Sequence, residues 1–177
     1  KTLAAQLCSE FRELFPDITL HAEDMLLLET FQIKYLPDRV AKNEFASLLR
    51  QYPMVQRFLV NKYPPITSFL TGLMEEKPPG NQDQIEEQCQ EALWEIADLI
   101  VYNKYPDVYD SQIQLKWKLD EFTSKESLEG KIVIDAGAGT GLLAFMVAPY
   151  AKTVYAIEPI SAFRQYIRDK VTEKNID

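Results

Sequence analysis

Two kinds of hydrophobic patterning divide this chain. Up to about residue 125 the apolar positions recur at helical spacing. Leu3, Leu7, Phe11 and Leu14 form an amphipathic stripe that Pro16 ends. A second helical run is predicted around 21–35, stopping before Pro37. Asp38 is the expected N-cap of a third, with Phe45, Leu48 and Leu49 inward. Pro53 suits a helix start, with Val55, Phe58 and Leu59 packing behind it. Pro64-Pro65 interrupts the pattern before a short helix near 66–76, and Lys77-Pro78-Pro79-Gly80-Asn81 reads as a linker. The strongest helix is expected over 82–103, with Ile85, Cys89, Leu93, Ile96 and Ile100 on one face and Glu86, Glu87, Glu91 and Glu95 largely off it. A further helix near 109–123 offers Ile113, Trp117 and Phe122.

From Lys131 the pattern changes. Ile132-Val133-Ile134 and Thr153-Val154-Tyr155-Ala156-Ile157 are short apolar runs rich in β-formers, read as strands. Between them Leu142–Ala148 is apolar all round, as expected of a buried helix, and Pro149 ends it. Ser161 is the expected cap of a last helix over about 161–174, with Phe163, Tyr166, Ile167 and Val171 inward. The fold class is therefore α/β: an all-helical N-terminal region, 1–125, with a possible sub-boundary at 77–81, then a βαβα unit over 126–177.

The join between first strand and helix carries the chemistry. Gly137, Gly139 and Gly141 stand within five residues, directly after an apolar strand that ends at Asp135. A chain that leaves a strand and enters a helix this quickly needs backbone angles that glycine adopts cheaply, and a ligand lying over the turn must approach the backbone closely. Glu158 closes the second strand. A carboxylate there can accept hydrogen bonds from two neighbouring ribose hydroxyls. Strand, glycine turn, helix, strand and acid together indicate a nucleoside-bearing cofactor at the carboxyl ends of a parallel sheet. The dinucleotide fingerprint G-x-G-x-x-G would need its third glycine at position 142, which is Leu142.

The pattern present, Asp-x-Gly-x-Gly-x-Gly over 135–141, resembles the first motif of the class I S-adenosylmethionine-dependent methyltransferases. The likeness runs through VIDAGAGTGLLAFMVAPYAKTVYAIEP, residues 133–159, and extends over Leu128 to about Asp177. It implies a Rossmann-like sheet and S-adenosyl-L-methionine as cofactor. By position, Asp135 would lie near the methionine end, and Gly137, Ala138, Gly139 and Gly141 would line the cofactor with backbone. Glu158 would hold the ribose, and Ile160 would pack on the adenine. The run Gly137–Gly141 with Val154–Glu158 also looks like the protein arginine methyltransferases, whose N-terminal Tyr-Phe-x-x-Tyr signature has no counterpart here. The family sheet has seven strands and this chain has room for two, so the chain is expected to be a truncated piece that carries the cofactor turn but no nameable catalytic residue. Such a piece alone is expected to bind S-adenosylmethionine poorly or not at all and to transfer no methyl group. An NAD-dependent oxidoreductase and a non-enzymatic helical interaction module are the other readings.

Composition narrows the partners. The chain has 177 residues, a net charge of −8, and 46% hydrophobic residues. That charge argues against broad capture of nucleic acid. Acids cluster over 75–110, whereas six bases (Lys34, Arg39, Lys42, Arg50, Arg57 and Lys62) stand in 31–62, read as a solvated face. No apolar run has membrane-spanning length and no signal peptide opens the chain, so a cytoplasmic location is expected. Cys8 and Cys89 are far apart and fit neither a disulfide framework nor a metal site; a single histidine, His21, in an unremarkable N-terminal stretch argues against a histidine triad. A small-molecule acceptor is expected, a macromolecular one stays open, and an open strand edge favours a homo-oligomer.

Overall fold

The computed structural model describes residues 11–75, 82–112 and 118–176. They form two compact units, dividing between Lys104 and Tyr105. The architecture is mostly helical, with one two-stranded parallel sheet, compatible with part of an α/β fold.

The first unit is all helical. A 3₁₀ segment, Ala22–Leu27, is followed by α1 (Thr30–Arg39), α2 (Lys42–Gln51), α3 (Pro53–Lys62), α4 (Thr67–Glu75), α5 (Gln82–Glu95) and α6 (Ala97–Lys104). Its core gathers Met25, Ile33, Phe45, Leu49, Leu59 and Leu93, all buried, from most of these elements. α2 packs along α5. Across that seam the Ser47 hydroxyl donates to Gln88 Oε1 at 2.6 Å.

Several expectations are corrected here. Pro37 lies inside α1 rather than beyond its end. It falls in the last turn, where a missing N–H removes one hydrogen bond while Leu36 and Val40 stay buried. The N-cap of α2 is Ala41, not Asp38. The free amide of Ala41 donates to Glu95 Oε2 at 2.6 Å, so a distant carboxylate supplies what a local cap would. The helix expected over 82–103 is two helices, broken at Ile96. Arg39 reaches this break: its Nη2 donates to the Glu95 carbonyl at 3.5 Å and to Asp98 Oδ1 at 2.6 Å, and its Nη1 donates to Asp98 Oδ2 at 2.8 Å. A guanidinium that takes a carbonyl out of the helical ladder is a recognised cause of such a break. The apolar stripe itself is as read, with Cys89, Leu93, Ile96 and Ile100 buried. Burial, and then the charge of Glu86, push the Cys89 thiol up. Leu14 is exposed instead of inward; Leu3, Leu7, Cys8 and the 77–81 linker lie outside the described residues.

The second unit starts with α7 (Pro106–Gln112), then a 3₁₀ turn at Leu119–Glu121 and the short α8 (Lys125–Leu128). Phe122, expected inward, is exposed, and Ile113 and Trp117 lie outside the described residues. There follow β1 (Ile132–Ala136), α9 (Leu142–Val147), β2 (Thr153–Ile157) and α10 (Ser161–Glu173). β1 and β2 pair in parallel, with Ile132 opposite Thr153, Ile134 opposite Tyr155 and Ala136 opposite Ile157. α9 packs on β2, and α7 on α10. The latter contact brings the Tyr109 and Phe163 rings to 5.3 Å and lets the Tyr166 hydroxyl donate to Asp110 Oδ2 at 2.8 Å. The N-cap of α10 is Ile160, and Ser161 is its first residue rather than its cap. α9 is only partly covered: Ala144 alone in it is buried, against the expectation of a wholly buried helix.

Register and alternation put Ile132, Ile134, Tyr155 and Ile157 on one face of the sheet, and each is more than half exposed. The opposite face, with Val133, Asp135, Val154 and Ala156, is half-buried. Exposed apolar side chains grouped in this way are available to other apolar molecules. Replacing Ile134 and Ile157 together by Thr should cut binding of a hydrophobic dye by about half and leave stability within about 0.5 kcal/mol. Dye fluorescence with chemical denaturation checks this, and an unchanged dye signal would show that the face is covered in solution.

Candidate functional site

The site lies at the carboxyl end of the parallel pair and is built from three backbone segments. The first is the turn after β1. Gly137 and Gly139 have φ of +77° and +56°, and Gly141, the N-cap of α9, has φ of +88°. A Cβ added at Gly137 or Gly139 would meet no atom within 4 Å. The space above these two residues is open, as a ligand lying close to the backbone requires. Gly141 differs. A Cβ there would come within 2.9 Å of Phe145 Cε2 and 3.0 Å of Ile167 Cγ1. This glycine lets α9 and α10 approach each other.

The second segment is the end of β2. The Ile157 carbonyl accepts from the amides of both Gly137 and Ala138, at 2.8 and 3.1 Å. Glu158 follows and is buried. Its Oε2 accepts from the Gly139 amide and its Oε1 from the Ile160 amide, each at 2.8 Å. The glycine turn is thereby fastened to the second strand at three successive amides. Each carboxylate oxygen keeps a further acceptor direction, so Glu158 retains capacity for a ligand hydroxyl.

The third segment is the start of α9. Asp135, at the end of β1, accepts from the Ala144 amide at 3.0 Å through Oδ2. It satisfies one of the amides a helix start leaves unpaired. Burial pushes its carboxyl above the ordinary aspartate value, and the Ala144 bond opposes that shift.

Asp135, Gly137, Ala138, Gly139, Gly141, Glu158 and Ile160 thus converge on one end of the sheet. Ile160 is buried beside Glu158. Arg164 was not singled out from the sequence. Its Nη1 donates to the carbonyls of Glu158 and Pro159, at 2.8 and 2.7 Å, and its Nη2 to Ser161 Oγ at 3.1 Å. Nothing in its spacing distinguishes it from Arg168 on the same helix. Among the described residues no cluster of His, Cys, Asp or Glu could hold a metal ion, and no helix is long and apolar enough to cross a membrane.

Comparison with known proteins points in one direction. Over 79 residues, 40% of this chain, the sequence is 33% identical to Protein arginine N-methyltransferase 6 of Danio rerio, covering 23% of that protein. Over 95 residues, 54% of this chain, it is 28% identical to an uncharacterised RNA methyltransferase of Staphylococcus epidermidis, covering 20% of it. The chain therefore spans between a fifth and a quarter of the length of these curated relatives. The similarity is to methyltransferases, at low identity and over part of the chain. No family model matches the chain, and no solved structure matches it significantly.

Two substitutions separate the roles within the turn. Gly141→Ala should destabilise the second unit by about 2–4 kcal/mol, because it adds a steric clash to a left-handed φ. Gly137→Ala should cost only about 1–2 kcal/mol, from φ alone. Denaturation curves for the two variants check the order.

Asp135 gives a pH test. Its folded-state pKa is raised, so the unfolded state releases the proton first. Stability falls as pH rises through the window from the ordinary aspartate value to the raised one, and the penalty persists at neutral pH. Asp135→Asn keeps an acceptor for Ala144 and removes the charge. It should match the wild type near about pH 3 and exceed it near about pH 7. Thermal melts at the two pH values measure this.

Proposed function

We propose that this chain carries the S-adenosyl-L-methionine-binding turn of a methyltransferase with a Rossmann-like sheet. One observation carries the reading: the buried Glu158 carboxylate is held against the Gly139 and Ile160 amides, beside a glycine turn whose upper side is open. In this reading the second acceptor directions of Glu158 take the ribose hydroxyls. The backbone of Gly137, Ala138 and Gly139 forms the floor under the cofactor. Gly141 contributes by placing α9, and Ile160 flanks the adenine. Asp135 faces the methionine end, where its ionised carboxylate would attract an ammonium group.

The similarity to arginine and RNA methyltransferases supports the class of reaction and leaves the acceptor open. A sulfonium makes the methyl carbon electrophilic, so the protein's task is to hold a nucleophile in line with the methyl–sulfur bond. What these residues supply is the fixed half of that geometry. The carboxylate is already ordered by two amides, so ribose binding need not pay for ordering it.

Glu158→Ala removes both the ribose acceptor and the fastening of Gly139. It should weaken binding of S-adenosylhomocysteine, the demethylated product, by about 1.5–3 kcal/mol, or roughly 10- to 150-fold. Titration calorimetry on the full-length protein, wild type and variant, tests this. Equal affinities would remove Glu158 from the site.

A further inference from the structure

The segment that carries Glu158 has an unusual balance of donors and acceptors. Pro159 has no amide proton. The Ile160 amide is spent on the Glu158 carboxylate. Four successive carbonyls, from Ile157 to Ile160, turn the chain from β2 into α10. The first accepts from the glycine turn. The other three all accept from one residue. Arg164 gives its guanidinium to the carbonyls of Glu158 and Pro159 and its own amide, at 3.1 Å, to the carbonyl of Ile160. Its second terminal nitrogen reaches Ser161 Oγ.

The position is electrostatically costly. A cation within the first turn of a helix opposes the helix dipole. Three directed hydrogen bonds offset that cost, and the planar guanidinium fork makes them from two nitrogens at once. The acceptors are the backbone carbonyls of the strand end, part-buried at Glu158 and exposed at Pro159, and the bonds to them form a clamp. What it fixes is the direction in which the strand end leaves the sheet, and hence where the Glu158 carboxylate points.

We infer that Arg164 is a positioning residue: it clamps the Glu158–Pro159 turn so that the carboxylate stays on the Gly139 and Ile160 amides and is presented to the ribose of the cofactor. The ribose part of this inference rests on the function proposed above; the clamp itself does not.

The experiment compares wild type, Arg164→Ala and Arg164→Lys, each in the full-length protein. Amide hydrogen exchange is followed by NMR without cofactor, and S-adenosylhomocysteine affinity by calorimetry. Arg164→Ala should speed exchange at Gly139 and Ile160 about tenfold and weaken the ligand about tenfold, as expected for loss of a charge-assisted hydrogen-bond set. Exchange at Ala144, held by Asp135, should stay as in wild type. Arg164→Lys keeps the charge but not the fork, so it should recover less than half of either loss. If Arg164→Ala fails to fold, the Lys variant carries the test alone. Exchange at Gly139 and Ile160 at the wild-type rate in both variants, or in the Lys variant alone when only that one folds, overturns the inference. A wild type that binds no S-adenosylhomocysteine overturns the proposed function instead, and the exchange data still decide the clamp.

Discussion

The second unit depends on one carboxylate. Glu158 joins the Gly139 amide, in the turn after β1, to the Ile160 amide, at the entry to α10. Neither amide has a partner within its own element. Gly139 lies in a left-handed turn, and Ile160 caps a helix without a side-chain cap. A buried acid that accepts from both satisfies two donors that would otherwise cost about 1–3 kcal/mol each to leave unmade. Turn, acid and helix entry are therefore one interlocked arrangement.

The three glycines around this acid do two different jobs. All have positive φ, which an L side chain resists. At Gly137 and Gly139 a side chain would meet only space; at Gly141 it would strike Phe145 and Ile167. The sequence writes the same letter three times, yet two positions keep a surface free and one allows two helices to close. Only coordinates separate these, because the clash at Gly141 involves Ile167, a residue on another helix. By this geometry the bare backbone available to a ligand is that of Gly137 to Gly139.

Legibility followed the range of the interactions. Both strands stood where the apolar runs ended, because β-branched residues between turn residues constrain the chain locally. The acid closing β2 was equally plain. The errors arose where a remote group intervened. The helix breaks at Ile96, within an unbroken apolar stripe, where Arg39, far away in sequence, bonds the Glu95 carbonyl and Asp98. Asp38 looked like a cap, but the Ala41 amide is satisfied by Glu95. Ser161 looked like a cap, yet its hydroxyl accepts from Arg164 while Ile160 holds the cap position. Backbone amides and carbonyls carry no letter of their own. A side chain that partners them, as Arg164 does, leaves no pattern to read.

The sheet shows the same principle on the scale of a face. β1 and β2 are apolar at alternate positions on both sides, the composition of strands covered above and below. α9 lies against β2. The face of Ile132, Ile134, Tyr155 and Ile157 is exposed among the described residues. Transfer free energy favours covering such side chains by about 25 cal/mol per Å² of apolar surface, whatever the cover is. The glycine turn is insulated from that choice. Its fastenings run from the Gly137, Ala138 and Gly139 amides to the Ile157 carbonyl and the Glu158 carboxylate, all at the carboxyl edge of the pair. None of them involves a side chain on the open face. The geometry at the strand ends is thus set by the Ile157 carbonyl and the Glu158 carboxylate, independently of whatever covers the apolar face.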